Sequence, residues 1–125
     1  MAHLTAHAAR PFSMHGVTFT SFASSASGAA SLAAWRADFQ PHTPGQAHSM
    51  SQEEILYVIA GELEVSIDDV IVVVHAGDAV LVPAGGLLRV SNDTDRPATA
   101  WVTTVLGMTA AMEQGGDRFA PPWAQ

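Results

Sequence analysis

Cysteine and lysine are both missing from this sequence. Without cysteine there is no disulfide, no thiolate nucleophile and no thiolate metal ligand. Without lysine, five arginines stand against twelve acids, a formal net charge of −7. A surface of that sign repels a phosphate backbone, so nucleic acid is not expected as a partner, and the acidity reads as solubility. Long hydrophobic runs are missing too. No stretch approaches the ~18 apolar residues of a membrane span, and the opening MAHLTAHAARPFSMHG lacks the continuous apolar segment of a secretory signal. A soluble, cytoplasmic protein with no membrane partner is expected.

Helical periodicity is scarce as well. The middle of the chain instead breaks into short β-branched runs separated by turn residues. EILYVIA ends at Gly61, ELEVSI at Asp68-Asp69, VIVVVH at Ala76-Gly77-Asp78 and AVLVP at Ala84-Gly85-Gly86; LLRVS ends at Asn92-Asp93, and ATAWVTTVL closes the series. Strands of this length at this spacing predict an all-β sandwich or barrel. SLAAWRADF (31–39) alternates in the same way and is broken by the prolines and glycine of PHTPGQA. The length suits one domain. Residues 1–30 are expected to form an arm with one or two edge strands around Val17–Phe22, 31–106 the barrel, and 107–125 a tail. The one helix candidate is a turn or two at Met108–Gln114.

Two spaced motifs overlie these strands. His42 is followed by five residues, His48-Ser49-Met50, three residues, Glu54, six residues and Gly61. Gly77 is followed by five residues, Pro83-Ala84-Gly85, two residues, Leu88, three residues and Asn92. In this the chain resembles the small single-domain cupins, whose fold is a double-stranded β-helix or jelly-roll barrel, and the resemblance covers roughly residues 31–106. It implies that metal ligands would sit at His48, at position 50, at Glu54 and at position 88. Here Met50 and Leu88 occupy two of those four places, and His42 replaces the opening glycine.

Leucine has no lone pair to offer, and thioether sulfur is a soft donor ill suited to iron or manganese. A metal-free site is therefore expected. The alternative is a divalent Fe, Mn, Ni, Cu or Zn held by His48 and Glu54, completed by Met50 or by His42 or Glu53 swinging in. Glu53, adjacent to Glu54, should point to the opposite face.

Strand alternation places His48, Met50, Glu54, Leu56 and Val58 on one face, and in the resembled barrel that face lines the interior; Leu88 and Val90 would join from another strand. Trp35 is either a substrate platform or a core or interface residue. Arg36 falls on the alternate face from Trp35, so at most one of them faces the cavity: Arg36 is expected to be solvated or paired with Asp38, and were it the inward one a carboxylate-bearing ligand would be expected. A pocket of this kind is mostly apolar, with one imidazole and one carboxylate at its mouth. Desolvation would raise the Glu54 pKa, and contact with a protonated His48 would lower it. Either state leaves an acid and a base for proton transfer in an isomerase, cyclase or lyase. The rival readings are a metal-dependent, dioxygenase-like cupin with rearranged ligands and a non-catalytic small-molecule-binding barrel. Tyr57 and Trp101 are expected on the outer face and His75 exposed, with no role for His3, His7 or His15. The aromatic tail GMTAAMEQGGDRFAPPWAQ is expected to fold over the barrel mouth or onto a partner subunit. A homodimer is expected, because exposed strand edges need cover.

Overall fold

Alternation in side-chain character decides which way each strand faces. Along residues 98–105, Ala98, Ala100, Val102 and Thr104 are buried while the residues between them are partly or fully exposed. Along 54–60, Glu54, Leu56 and Val58 turn inward, and Ile55, Tyr57 and Ile59 turn outward. This period of two belongs to a strand with one face on a core.

The computed structural model describes all residues, 1–125, and comprises eleven strands with two short 3-10 turns. In chain order the strands are β1 (Arg10–Met14), β2 (Val17–Ala23), β3 (Leu32–Phe39), β4 (His48–Met50), β5 (Glu54–Ala60) and β6 (Glu62–Ile67). They continue with β7 (Val70–His75), β8 (Ala79–Val82), β9 (Leu88–Ser91), β10 (Ala98–Val105) and β11 (Ala110–Met112). They form two antiparallel sheets, one in the order β1-β2-β3-β10-β5-β8 and the other β11-β4-β9-β6-β7. One cluster of 19 buried apolar residues draws on both, so the sheets share a single core. Fully burying a residue such as Leu63, Val65 or Val82 contributes about 1.5–3 kcal/mol each. No helix is long and apolar enough to cross a membrane.

Turn chemistry holds the register. Asp68 and Asp69 both adopt positive φ, 47° and 68°, and close the β6–β7 hairpin as a two-residue turn. Gly61, at φ 74°, lies against the neighbouring loop; a Cβ there would come within 2.7 Å of the Pro97 carbonyl oxygen, so only glycine fits. Asn92 is fully buried. Its amide donates toward the carbonyls of Arg96 (2.7 Å), Gln40 (3.2 Å) and Phe39 (3.5 Å), and its Oδ1 accepts from the Thr94 hydroxyl and backbone N–H. The asparagine that ends the second motif is thus the knot that ties the loop after β3 to the loop after β9.

Two expectations change and a third is narrowed. The segment before residue 31 holds the sheet edge β1, but β2 lies between β1 and β3 and pairs with β3 along its length. Residues 108–114 are not helical: Ala110–Met112 form β11, paired with β4, and Ala110 also bridges Phe119. Pairing with distant partners overrides the local helix propensity of the alanines and methionines. The tail packs on its own barrel, where Trp123 stacks on Phe19 with ring centroids 3.9 Å apart and planes 6° from parallel.

Replacing Asn92 by alanine leaves several inward carbonyls without a donor. We expect Asn92→Ala to lower unfolding free energy by about 2–3 kcal/mol in urea titration, with the slope of the transition unchanged. A loss below about 0.5 kcal/mol would remove Asn92 from this role.

Candidate active site

The cavity lies between the two sheets, and its polar groups arrive on two strands. β4 is only three residues long, yet both neighbours hold it: His48 faces Leu88 of β9, and Met50 faces Ala110 of β11. β5 begins at Glu54, opposite Val82 of β8. His48, Met50, Glu54 and Leu88, the four positions of the two motifs, all border one cavity of about 140 Å3. Leu56, Val90 and Trp35 border it as well. Val58 does not. It faces the same way and is fully buried, but it sits farther along β5 and belongs to the core alone.

His42 does not reach the cavity either. Its backbone N–H bonds to Thr94 O, Thr43 pairs with Asn92 in both directions, and His42 itself is a turn residue at φ 55°, exposed on the outside. It borders a separate polar groove with His15 and Gln40. Glu53 is exposed, and its carbonyl accepts from the Thr104 hydroxyl at 2.8 Å. Arg36 points outward and forms a bidentate pair with Asp38, Nε to Oδ2 at 2.9 Å. Tyr57 is exposed and Trp101 half-buried, cross-strand neighbours on the outer face. His75 is exposed, with Nδ1 3.5 Å from Glu62.

Other parts of the wall carried no signal in the motifs. Val17 and Phe19 come from β2, Phe39 from β3 and Val102 from β10; Met108 follows β10, and Phe119, Pro121 and Trp123 come from the tail. His15, expected to have no role, stands at the same cavity. The alternation of Val17, Phe19 and Ser21 on one face and the aromatic content of the tail were the available hints.

The electrostatics follow from this greasy setting. Glu54 is 6% exposed, and burial pushes its carboxyl up to about 7; no hydrogen bond or neighbouring charge takes part in the shift. The expected contact with a protonated His48, which would have pulled the value back down, does not enter. His48 is half-buried. Its Nδ1 lies 2.8 Å from the Gln46 carbonyl, so Nδ1 carries the proton and Nε2 keeps a free lone pair in the neutral ring.

Nowhere in the molecule do three or more His, Asp or Glu side chains gather as a metal would need. The donor set at the four motif positions, one imidazole and one carboxyl beside a thioether and a leucine, does not fit the four-ligand site of the resembled family.

Residues 35–105 match the family model of the cupin domain, and the chain belongs to the cupin family. No curated protein sequence matches it. Among solved structures, it is similar to an RmlC-like cupin from Shewanella frigidimarina (20% identity over 84% of this chain and 91% of that one, TM-score 0.70). It is similar to the polyketide cyclase RemF from Streptomyces resistomycificus (15% identity over 84% and 79%, TM-score 0.75). A sugar phosphate isomerase of the cupin superfamily from Silicibacter pomeroyi is similar too (19% identity over 94% and 85%, TM-score 0.75). At these identities the likeness is one of fold.

The Glu54 shift has a stability consequence with a definite sign. The folded-state value lies above the ordinary one, so the native state holds a proton that the unfolded chain has released. Below the ordinary value of 4.5 the group is neutral in both states and carries no penalty. As pH rises from there to about 7 the fold loses stability, and above about 7 the loss is complete, about 3 kcal/mol. Denaturant titrations at pH 5 and pH 8 should show this loss in the native protein and its absence in Glu54→Gln. Equal pH dependence in the two proteins would contradict the assignment.

Proposed function

We propose that this cupin is a metal-independent enzyme that moves protons on a small, largely apolar organic molecule, as an isomerase, cyclase or lyase. One observation carries the reading: a carboxyl that keeps its proton to about pH 7 and an imidazole with a free Nε2 border the same apolar cavity. The protonated Glu54 donates to the oxygen of a substrate carbonyl while His48 Nε2 takes a proton from the adjacent carbon. The resulting enol then receives a proton back at carbon, His48 and Glu54 return to their starting states, and no net charge is left in the cavity. An acid and a base of this kind contribute about 10²–10⁴-fold each when positioned. The similar folds named as a cyclase and an isomerase support chemistry of this type, though not its substrate.

Glu54→Gln and His48→Ala are each expected to lower kcat by about 10²–10⁴-fold with a smaller change in KM. Undiminished turnover in both variants would reject the proposal. Thermal stabilisation by a ligand with no product formed would make this a binding protein instead. Stoichiometric Fe, Mn, Ni, Cu or Zn retained through His48 and Glu54 after purification without chelator would make it a metal-dependent oxygenase of the dioxygenase type.

We also propose that the protein works as a homodimer in the cytoplasm. The support for the dimer is the edge strand β7, where Val70, Ile71, Val72 and Val73 are 46–68% exposed, together with Ile55, Tyr57, Ile59 and Leu81 at 45–61% on the outer face of the large sheet. An apolar edge without lysine, proline or bulge invites strand pairing, and a two-fold axis makes that pairing self-limiting. Sedimentation at micromolar concentration should give a dimer, and Val72→Lys should give a monomer. A monomeric native protein would overturn the assignment.

A further inference from the structure

No arginine borders the cavity, and the chain has no lysine. The titratable side chains at the cavity are Glu54, His48 and His15. Arg36 is paired with Asp38 on the outside, and Arg118 is tied to Thr109. Arg10 is spent on Ser24 Oγ at 3.1 Å and the Gln125 carbonyl at 2.8 Å, while Arg89 and Arg96 are exposed. A carboxylate or phosphate entering this space would lose its water and meet no arginine or lysine side chain to pair with, at a penalty of several kcal/mol. Glu54 sharpens the discrimination. In its neutral form it offers one O–H donor, and in its ionised form it repels an anion.

The walls define the complementary partner. Sixteen of the 23 lining residues are hydrophobic, and Phe19, Trp35, Phe39, Phe119 and Trp123 bring five aromatic rings to the lining. The volume of about 140 Å3 is close to that of an apolar cavity of about 150 Å3 known to take up benzene. That volume is of the order of a single flat ring. The carboxyl of Glu54 is the single buried ionisable group facing it and makes no hydrogen bond within the protein that would compete for an incoming acceptor.

We infer that the cavity selects a neutral, flat, single-ring or similarly conjugated carbonyl compound, whose oxygen accepts from Glu54 and whose ring lies among the aromatic side chains, and that it rejects anions of the same size. The inference rests on the cavity being the working site, and it names the substrate class of that site. By this criterion phosphorylated sugars and small aromatic carboxylates are excluded, even though one similar barrel is named as a sugar phosphate isomerase.

The experiment is direct binding to the intact protein at pH 6.0, where the Glu54 carboxyl is mostly protonated. Acetophenone is titrated against its size-matched anion benzoate and against phenyl phosphate, by calorimetry and by thermal shift. Acetophenone is expected to bind at least tenfold more tightly than either anion. Raising the pH to 8.0 should weaken acetophenone severalfold in the native protein and leave it unchanged in Glu54→Gln, whose amide stays neutral. Equal or tighter binding of benzoate or phenyl phosphate would overturn the inference, and so would the absence of any acetophenone shift at millimolar concentration. Nothing is turned over in these titrations. A charged molecule found to be converted through His48 and Glu54 would therefore sink the substrate class and leave the proton-transfer proposal standing, whereas selective neutral binding without any turnover would do the reverse.

Discussion

A carboxyl group buried at an apolar cavity with nothing to bond to is the constraint on which the rest of this molecule turns. Such a group is expensive to ionise, so it holds its proton to about neutral pH, and its neutrality in turn suits an uncharged occupant. Two residues that border the same cavity, Met50 and Leu88, leave it in that state. An imidazole at 50 or 88 would have supplied a donor or a charge and drawn the carboxyl back toward its ordinary range. Methionine and leucine supply neither, and the long thioether side chain fills space without fixing a polar contact. Beside Met50 and Leu88, the shift of Glu54 is left to desolvation alone.

The scaffold makes this possible by separating support from chemistry. Asn92, the Asp68-Asp69 turn and Gly61 secure the loops and the register, and none of them touches the cavity. His48 is oriented by a main-chain carbonyl two residues away rather than by another functional side chain. Its free nitrogen is therefore set by local backbone geometry, and its position does not depend on Glu54 keeping any particular charge. The two groups stand on different strands and different sheets, and both border the one cavity.

Much of the barrel could be read directly from residue order. The strands from Glu54 to Val105 match the β-branched runs almost residue for residue, because two-residue alternation and positive-φ turn residues are local signals. The meeting of positions 48, 50, 54 and 88 was legible for a different reason, the resemblance to cupin motifs, since no local rule brings Leu88 beside His48. What escaped were features made by distant pairing. β4 and β11, three residues each, are too short to show a period, and β11 exists because Ala110 finds Met50 and Phe119. Val58 shows the limit of parity, which fixes the face a side chain takes but not how far along the barrel the cavity extends. Trp123 could be flagged as an aromatic needing cover, yet only the folded chain reveals that Phe19 of β2 is its partner.

The His48–Leu88 register carries an evolutionary corollary. Because residues 48, 50 and 88 project from a hydrogen-bonded ladder whose main-chain bonds do not depend on what those side chains are, exchanging them alters the contents of the barrel without redrawing its strands. A change at one or two of these positions would then alter what the barrel can hold while its main-chain ladder stays as it is. Changes of this kind would leave descendants whose ancestry is plain in their turns and unreadable in their interiors.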